Sequence, residues 1–213
     1  RYTDFESPYE WNWDTTQYAE TSHTIWVVVY DVFGLENKVS RTVFVDNTPP
    51  TASIESPQSG ITYCGMVYIC VNVTDNKEVS GVRFKVDNSA WVVMTFKGET
   101  FWDYFFNTTT LSDGQHNLLI LALDKAGNPA TESLNILTDN TPPSLTIQHP
   151  PSGITVGLTL TVMVQANDAS GMSKVDFYLG DTLASTVFFA PYQWAWDTTK
   201  YPNGEYTITV KAY

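Results

Sequence analysis

Residues 46–50 read Asp-Asn-Thr-Pro-Pro, and the same five residues return at 139–143, which is 93 positions further along the chain. Other short motifs recur with the same spacing: Asp-x-x-Gly at 31–34 and 124–127, and Gly-Ile-Thr at 60–62 and 153–155. A fixed period of this kind is typical of tandem domains, in which each copy forms one structural unit. The repeat therefore predicts a chain of similar domains joined end to end.

The period divides the 213 residues into three segments. We predict that residues 1–45 are the C-terminal part of one repeat, residues 46–138 a complete repeat, and residues 139–213 a repeat that lacks its last strand. Two explanations of that open repeat are compatible with the sequence. Either the sequence is a window onto a longer array, or a neighbouring subunit supplies the strand by β-strand addition.

Apolar and polar residues alternate within the complete repeat, and this period of two predicts β-strands. Seven strands are predicted, near residues 51–55, 67–73, 82–86, 91–96, 102–106, 118–122 and 134–138. Turn signals such as Asp113-Gly114 separate them, and no stretch has helical spacing with caps. The Asp-x-x-Gly segments at 31–34 and 124–127 predict hairpin turns, with Gly in the left-handed position and Asp as the cap. Seven short strands in one repeat predict an all-β fold of tandem immunoglobulin-like antiparallel β-sandwich domains.

Three motifs carry a family resemblance: Asp-Asn-Thr-Pro-Pro at the junctions, Val-x-Phe-x-Val at 82–86, and Pro-Tyr-x-Trp-x-Trp-Asp-Thr-Thr at 191–199. The chain resembles the tandem bacterial and archaeal Ig-like repeats of large cell-surface or secreted proteins. The resemblance covers essentially the whole chain and implies the β-sandwich fold. It says less about function, because such repeats serve as spacers, adhesins, surface-layer parts and enzyme appendages.

The composition favours a secreted or surface protein. Charged residues make up 16% of the chain, against roughly 25% in an average globular protein, and the net charge is −12. A negative field of this size repels nucleic acid and anionic membrane surfaces. No apolar run approaches the ~18 residues that a membrane-spanning helix needs, so we expect no membrane insertion in this segment. The expected location is extracellular, at the cell surface.

We expect no enzymatic activity, because the sequence contains neither Gly-x-Ser-x-Gly nor His-Glu-x-x-His nor a phosphate-binding loop. Calcium is the inorganic ligand that the sequence favours. Asp46 and Asp139 lie at the domain junctions, and Asp75 and Asp168 lie in an adjoining loop, so their oxygens are candidate calcium ligands. The alternative is that these residues cap turns.

The sequence also offers candidates for two covalent modifications, glycosylation and a disulfide bond. Asn72 and Asn107 each begin an Asn-x-Thr sequon, which predicts glycosylation in an extracellular protein. Cys64 and Cys70 form a disulfide only if a turn or bulge separates them, because a straight strand would hold their Cα atoms ~20 Å apart. Otherwise the two thiols are free or pair with another chain.

Two strands are apolar on both faces, whereas one face of a sandwich strand is normally polar. The expected inward residues of the strand at 24–30 are Ile25, Val27 and Val29. The expected outward residues of this strand and of its repeat equivalent at 117–123 are Trp26, Val28, Tyr30, Leu119, Leu121 and Leu123. Contiguous exposed apolar surface marks interfaces, so these outward residues are candidates for contact between copies of the chain. The alternative is that long neighbouring side chains or glycans cover them.

These observations predict a non-catalytic structural repeat segment of an extracellular filament, surface-layer or stalk protein, which associates with copies of itself. Two alternatives remain. The chain could be an adhesin or carbohydrate-binding module with glycans as ligands, or it could form the accessory Ig-like domains of a secreted hydrolase.

Overall fold

A computed structural model describes residues 2–213 of the chain. These residues contain 17 β-strands, three short 3₁₀ turns and no α-helix, which confirms the predicted all-β fold. The 3₁₀ turns are Thr15–Gln17, Thr108–Thr110 and Thr198–Lys200. In chain order the strands are β1 (Ser22–Tyr30), β2 (Glu36–Phe44), β3 (Thr51–Ser56), β4 (Thr62–Tyr63), β5 (Met66–Thr74), β6 (Val79–Val86), β7 (Val92–Val93), β8 (Thr95–Gly98), β9 (Phe101–Asn107), β10 (Gly114–Asp124), β11 (Pro129–Thr138), β12 (Ser144–His149), β13 (Thr159–Asn167), β14 (Val175–Leu179), β15 (Thr182–Val187), β16 (Tyr192–Asp197) and β17 (Ile208–Ala212).

The chain divides into two compact units. The first contains residues 2–59, 67–106 and 116–136, and the second contains residues 60–66, 107–115 and 137–213. Among the described residues, no helix is both long enough and apolar enough to cross a membrane.

The first unit contains a two-stranded sheet, β1-β2, and two larger sheets with strand orders β3-β5-β9-β8 and β11-β10-β6-β7. Every second residue is buried over 67–73 of β5, 82–86 of β6 and 116–124 of β10, as the alternation in the sequence predicts. The two larger sheets face each other, since Phe84 of β6 lies 5.0 Å from the ring of Tyr104 in β9. Burial of each such large apolar side chain stabilises the fold by about 1.5–3 kcal/mol.

The second unit has the same architecture in its own sheets, β12-β13-β16 and β15-β14-β17. Its core contains Val162, Val175, Phe177 and Trp196. In the same unit, the two residues of β4 pair in parallel with Leu137 and Thr138 at the end of β11. A strand of two residues is too short to produce a visible alternation, and the sequence did not predict it.

The Asp-x-x-Gly segments form the predicted hairpin turns. The Asp31 carboxylate accepts the backbone amides of Phe33 and Leu35, at 2.9 and 2.8 Å. Gly34 has φ of +83° and Gly127 has φ of +96°, in the left-handed region that glycine adopts without strain. The Asp side chain and the Gly backbone together reverse the chain between β1 and β2.

The single strand predicted at 91–96 is wrong. The structure has β7 and β8 there, and they belong to different sheets. Met94 separates them, with a buried side chain and a backbone amide that donates to the carbonyl of Val82 at 3.0 Å. Burial of Met94 draws the chain across the edge of the sandwich, so a continuous apolar run in the sequence becomes two short strands.

The inward orientation expected for residues of β1 is also corrected. Val27 and Val29 are exposed, although their repeat equivalents in β10, Ile120 and Ala122, are fully buried. The hairpin β1-β2 is a two-stranded sheet whose two faces are both exposed. The burial of an apolar face depends on the sheet opposite it, and the alternation of residues does not report whether that sheet is there.

Candidate functional site

The asparagine of the Asp-Asn-Thr-Pro-Pro motif binds the 3₁₀ turn of the preceding repeat. The Asn47 side chain donates from Nδ2 to the carbonyl of Thr15 at 3.1 Å and accepts the Thr15 hydroxyl at 3.0 Å. In the second unit, Asn140 makes the same two bonds with Thr108, both at 3.1 Å. We call each pair, Asn47 with Thr15 and Asn140 with Thr108, an asparagine clamp.

Each clamp is closed by a carboxylate that binds the linker backbone. Glu20 accepts the amide of Asn47 at 3.1 Å and the hydroxyl of Thr48 at 2.7 Å. Asp113, which is the repeat equivalent of Glu20, accepts the amide of Asn140 at 2.6 Å and the hydroxyl of Thr141. The Thr48 hydroxyl lowers the pKa of the Glu20 carboxyl. The Asn140 amide, followed by the Thr141 hydroxyl, lowers the pKa of the Asp113 carboxyl.

The Asp-Thr-Thr and Asn-Thr-Thr motifs build the turn that each clamp grips. Asp14, Asn107 and Asp197 cap the three 3₁₀ turns, and each accepts the amide two residues further on at 3.0–3.2 Å. The cap leaves the first threonine of the turn facing the linker. Thr108 is fully buried, and its hydroxyl also contacts the carbonyl of Gly65 at 2.9 Å.

Sequence reasoning missed the clamps, although it had identified both motifs. The available signal was their shared spacing. Thr15 and Thr108 are 93 residues apart, as are Asn47 and Asn140. Both motifs recur with the same spacing, and they contain complementary side-chain amide and hydroxyl groups. Such motifs are candidates for direct contact.

Three carboxylates lie together beside the first clamp. One oxygen from each of Asp46, Asp75 and Asp124 lies within 4.8 Å of the others. The Asp75 Oδ1 atom is buried and has no hydrogen-bond partner. Carboxylate oxygens at this separation are the ligands that Ca²⁺ prefers, and these three residues could hold a divalent cation.

Asp124 is the most buried member of this trio, with 2% of its surface exposed. Burial raises the pKa of its carboxyl, but hydrogen bonds from the side chain and backbone of Asn128 and from the amide of Gly127 outweigh burial and leave the pKa lowered. Asn128 also donates to the carbonyl of Asp46 at 3.1 Å. The Asp-x-x-Gly-Asn turn therefore holds one carboxylate ionised beside the linker.

The structure brings together two of the four predicted calcium ligands, Asp46 and Asp75, and joins them with Asp124, which was not predicted. Asp139 and Asp168 are in no such cluster among residues 2–213. The Asp139 carboxylate accepts the amide of Thr141 at 3.1 Å, and that of Asp168 accepts the amide of Ser170 at 2.8 Å. Asp46 and Asp75 likewise accept the amides of Thr48 and Lys77, so the capping alternative applies to all four residues.

The predicted interface residues fall into two groups. Trp26, Val28 and Tyr30 are exposed on β1, and Trp26 has 59% of its surface exposed. Leu119, Leu121 and Leu123 are half-buried on β10. Arg83 and Lys85 of β6 lie directly opposite Leu121 and Leu119, and long basic side chains cover apolar neighbours with their methylene stems.

The remaining candidates are the two cysteines and the two sequon asparagines. Cys64 is exposed, Cys70 is half-buried, and both thiols are free. Asn107 is exposed, but its Oδ1 accepts the amide and hydroxyl of Thr109. Asn72 is half-buried in β5, with a buried Oδ1 that has no partner.

Comparison with known proteins identifies the family. A family model described as a bacterial Ig domain matches residues 50–120 and 143–210, which is more than half of the chain. The chain belongs to this family. No curated protein matches the sequence.

Three solved structures are similar to the chain. Fibronectin(III)-like modules of Clostridium thermocellum CbhA match with 22% identity and a TM-score of 0.43, covering 76% of this chain and 85% of that one. A tetra-tandem repeat from the extending region of a large adhesion protein matches with 18% identity and a TM-score of 0.40, covering 93% and 54%. The endo-beta-1,4-mannanase from Thermotoga petrophila matches with 19% identity and a TM-score of 0.41, covering 45% and 21%. The chain therefore spans about a fifth of the mannanase and about half of the adhesion-protein structure.

Proposed function

We propose that the chain is a non-catalytic structural segment of an extracellular filament, surface-layer or stalk protein, in which the asparagine clamps stiffen the linkers. The observation that carries the proposal is the repetition of the clamp. Asn47 and Asn140 bind equivalent threonines through the same atoms, and an equivalent carboxylate closes each clamp.

The clamp favours stiffness for a simple physical reason. A linker of a few residues bends freely unless its backbone is held, and the paired prolines at 49–50 and 142–143 already restrict it. Each part-buried hydrogen bond between an asparagine and its threonine adds about 0.5–1.5 kcal/mol of net stabilisation, and the exposed carboxylate adds further bonds to the linker. Four bonds that must break together make bending at residues 46–50 or 139–143 costly.

Small-angle X-ray scattering of the chain tests the stiffening. We expect the double variant N47A/N140A to sample a wider range of maximum particle dimensions than the wild type, because its linkers bend more freely. Each Ig-like core should remain folded. The matched control is N88A/N203A, which changes two exposed asparagines outside the clamps. Equal distributions for the wild type and N47A/N140A would refute the proposed role of the clamps.

We propose two additions to this function. Copies of the chain associate through the apolar face formed by Trp26, Val28 and Tyr30, because three large exposed apolar residues in a row are unfavourable in water. Electron microscopy of the native protein, with intact mass on the same sample, tests assembly. Ordered fibres or sheets support it, and separate flexible monomers contradict it.

The second addition is a calcium ion held by Asp46, Asp75 and Asp124. The buried, unpartnered Oδ1 of Asp75 supports this addition independently of the clustering, because such an oxygen is destabilising unless a cation or a donor reaches it. A bound cation would also remove the repulsion among three nearby negative charges.

A further inference from the structure

The outer face of the sheet β3-β5-β9-β8 presents an aromatic pair that the stalk function does not use. Tyr68 of β5 and Phe105 of β9 have ring centroids 4.9 Å apart and planes inclined at 43°. They lie on the face opposite the core residues Val67 and Ile69, with 39% of Tyr68 and 60% of Phe105 exposed. Two adjacent exposed rings on an outer sheet face mark a candidate interaction site.

A carboxylate is fixed in the same face, directly beside the rings. Asp103 is two residues from Phe105 in β9, on the same side of the strand, yet only 6% of its surface is exposed. Its Oδ2 atom accepts the Tyr68 hydroxyl at 3.1 Å and lies 3.4 Å from Lys97 Nζ. A polar edge therefore runs along the aromatic surface. It is formed by the Tyr68 hydroxyl, the Asp103 carboxylate and the half-exposed Lys97 ammonium group.

The protonation state of the Tyr68 hydroxyl agrees with its role as a hydrogen-bond donor to Asp103. Burial, followed by the neighbouring Cys70 thiol and the Asp103 carboxylate, raises the pKa of Tyr68 to about 12. The hydroxyl is therefore protonated at all physiological pH values and donates to Asp103, which orients both groups.

We propose that this face binds a neutral glycan chain, with the Tyr68 and Phe105 rings stacking on sugar rings and Asp103 and Lys97 bonding to their hydroxyls. A pyranose has one apolar face of C–H groups and a rim of hydroxyls, which matches an aromatic face flanked by a charged acceptor and donor. The rings are inclined, so successive sugars would be contacted at different angles, as in a twisted chain.

Two other occupants fit less well. An apolar protein partner would leave the Asp103 and Lys97 charges buried at the interface, which is unfavourable without matching groups. An acidic ligand would approach a chain with a net charge of −12. The glycan proposal does not depend on the stalk function, since it uses a different surface from the clamps and from the Trp26 face.

Affinity gel electrophoresis of the full chain tests this proposal, with galactomannan, xyloglucan and mixed-linkage β-glucan as the soluble probes. We expect at least one of them to retard the wild-type chain. The variant F105A should bind about fivefold more weakly or worse, because it loses one stacked ring. Y68F keeps its ring and should keep most of the binding. F188A, which removes an exposed ring from the second unit, should bind like the wild type.

Two results would refute the glycan site, and a third would assign this face to another partner. Retardation by none of the three probes, or equal retardation of F105A and the wild type, refutes the glycan site. A dimer that forms without any polysaccharide binding and is abolished by F105A would assign the face to a second copy instead. Phe105 is on the outer face, so F105A is expected to keep the wild-type melting temperature, and circular dichroism checks that each variant is folded.

Discussion

Asn140 and Thr108 are 32 residues apart in sequence and exchange two hydrogen bonds, amide to carbonyl and hydroxyl to amide oxygen, both at 3.1 Å. Asn47 and Thr15 make the same exchange 93 residues earlier, at 3.1 and 3.0 Å. The Asn-Thr-Pro-Pro motif and the Thr-Thr motif are thus two halves of one contact.

We expect Asn140→Ala to lower the free energy of unfolding of the second unit by about 1–3 kcal/mol, because the buried Thr108 hydroxyl loses a partner. Urea denaturation followed by tryptophan fluorescence measures this. Asn203→Ala, in an exposed loop of the same unit, should change the stability by less than about 0.5 kcal/mol. A similar loss in both variants would contradict a specific role for the clamp.

Acid should open the second clamp. The folded-state pKa of Asp113 is depressed, so its contribution to stability is complete above its unfolded pKa of about 3.9 and is lost as the pH falls through the lower folded value. We expect Asp113→Asn to be less stable than the wild type at about pH 6, and the gap between them to narrow towards about pH 2. Denaturation at several pH values measures that gap. A gap that stays constant with pH would show that the carboxylate charge contributes nothing.

Calcium should stabilise the first unit. We expect millimolar Ca²⁺ to raise the wild-type melting temperature relative to EGTA, by an amount that grows with the ratio of calcium concentration to Kd. Asp75→Asn should abolish the response. Its repeat equivalent Asp168→Asn should leave the response intact, because Asp168 belongs to no carboxylate cluster among the described residues. Differential scanning calorimetry of the three proteins decides between these outcomes.

Removal of the apolar face of β1 should weaken self-association. We expect W26S/Y30S to sediment as a monomer at concentrations where the wild type forms larger species, because two of the three exposed apolar residues are gone. L119S/L121S is the informative comparison. These leucines are half-buried beside Arg83 and Lys85, so their loss should lower stability more than association. A monomeric wild type at all concentrations would refute the interface.

The sandwich itself could be predicted from the sequence, because alternation reports directly which side of a strand is apolar. Val67, Ile69, Val71 and Val73 are buried as predicted, and so are Leu118, Ile120 and Ala122. The alternation could not show that Met94 turns the chain from one sheet to the other, since a buried residue at a sheet edge looks like one more strand position.

The candidate sites were harder to predict than the fold, for a related reason. Asp46 and Asp75 were identified from their polarity near a junction, but Asp124 was first assigned only to a hairpin turn. A carboxylate that caps a turn with one oxygen can face a cluster with the other, and spacing alone does not distinguish the two roles. The clamp escaped prediction because its halves lie on either side of a predicted domain boundary.

The position of the clamp across the predicted domain boundary determines where such an array can be cut or lengthened. The clamp residues Asn47 and Asn140 follow the predicted boundaries, yet their partners Thr15 and Thr108 precede them. A fragment that ends at residue 45 or 138 therefore loses both hydrogen bonds between its threonine and the asparagine. The segment that must be copied to add a stable module is therefore not the segment that the repeat delimits. It has to run on through the prolines at 49–50 or 142–143, into the start of its neighbour.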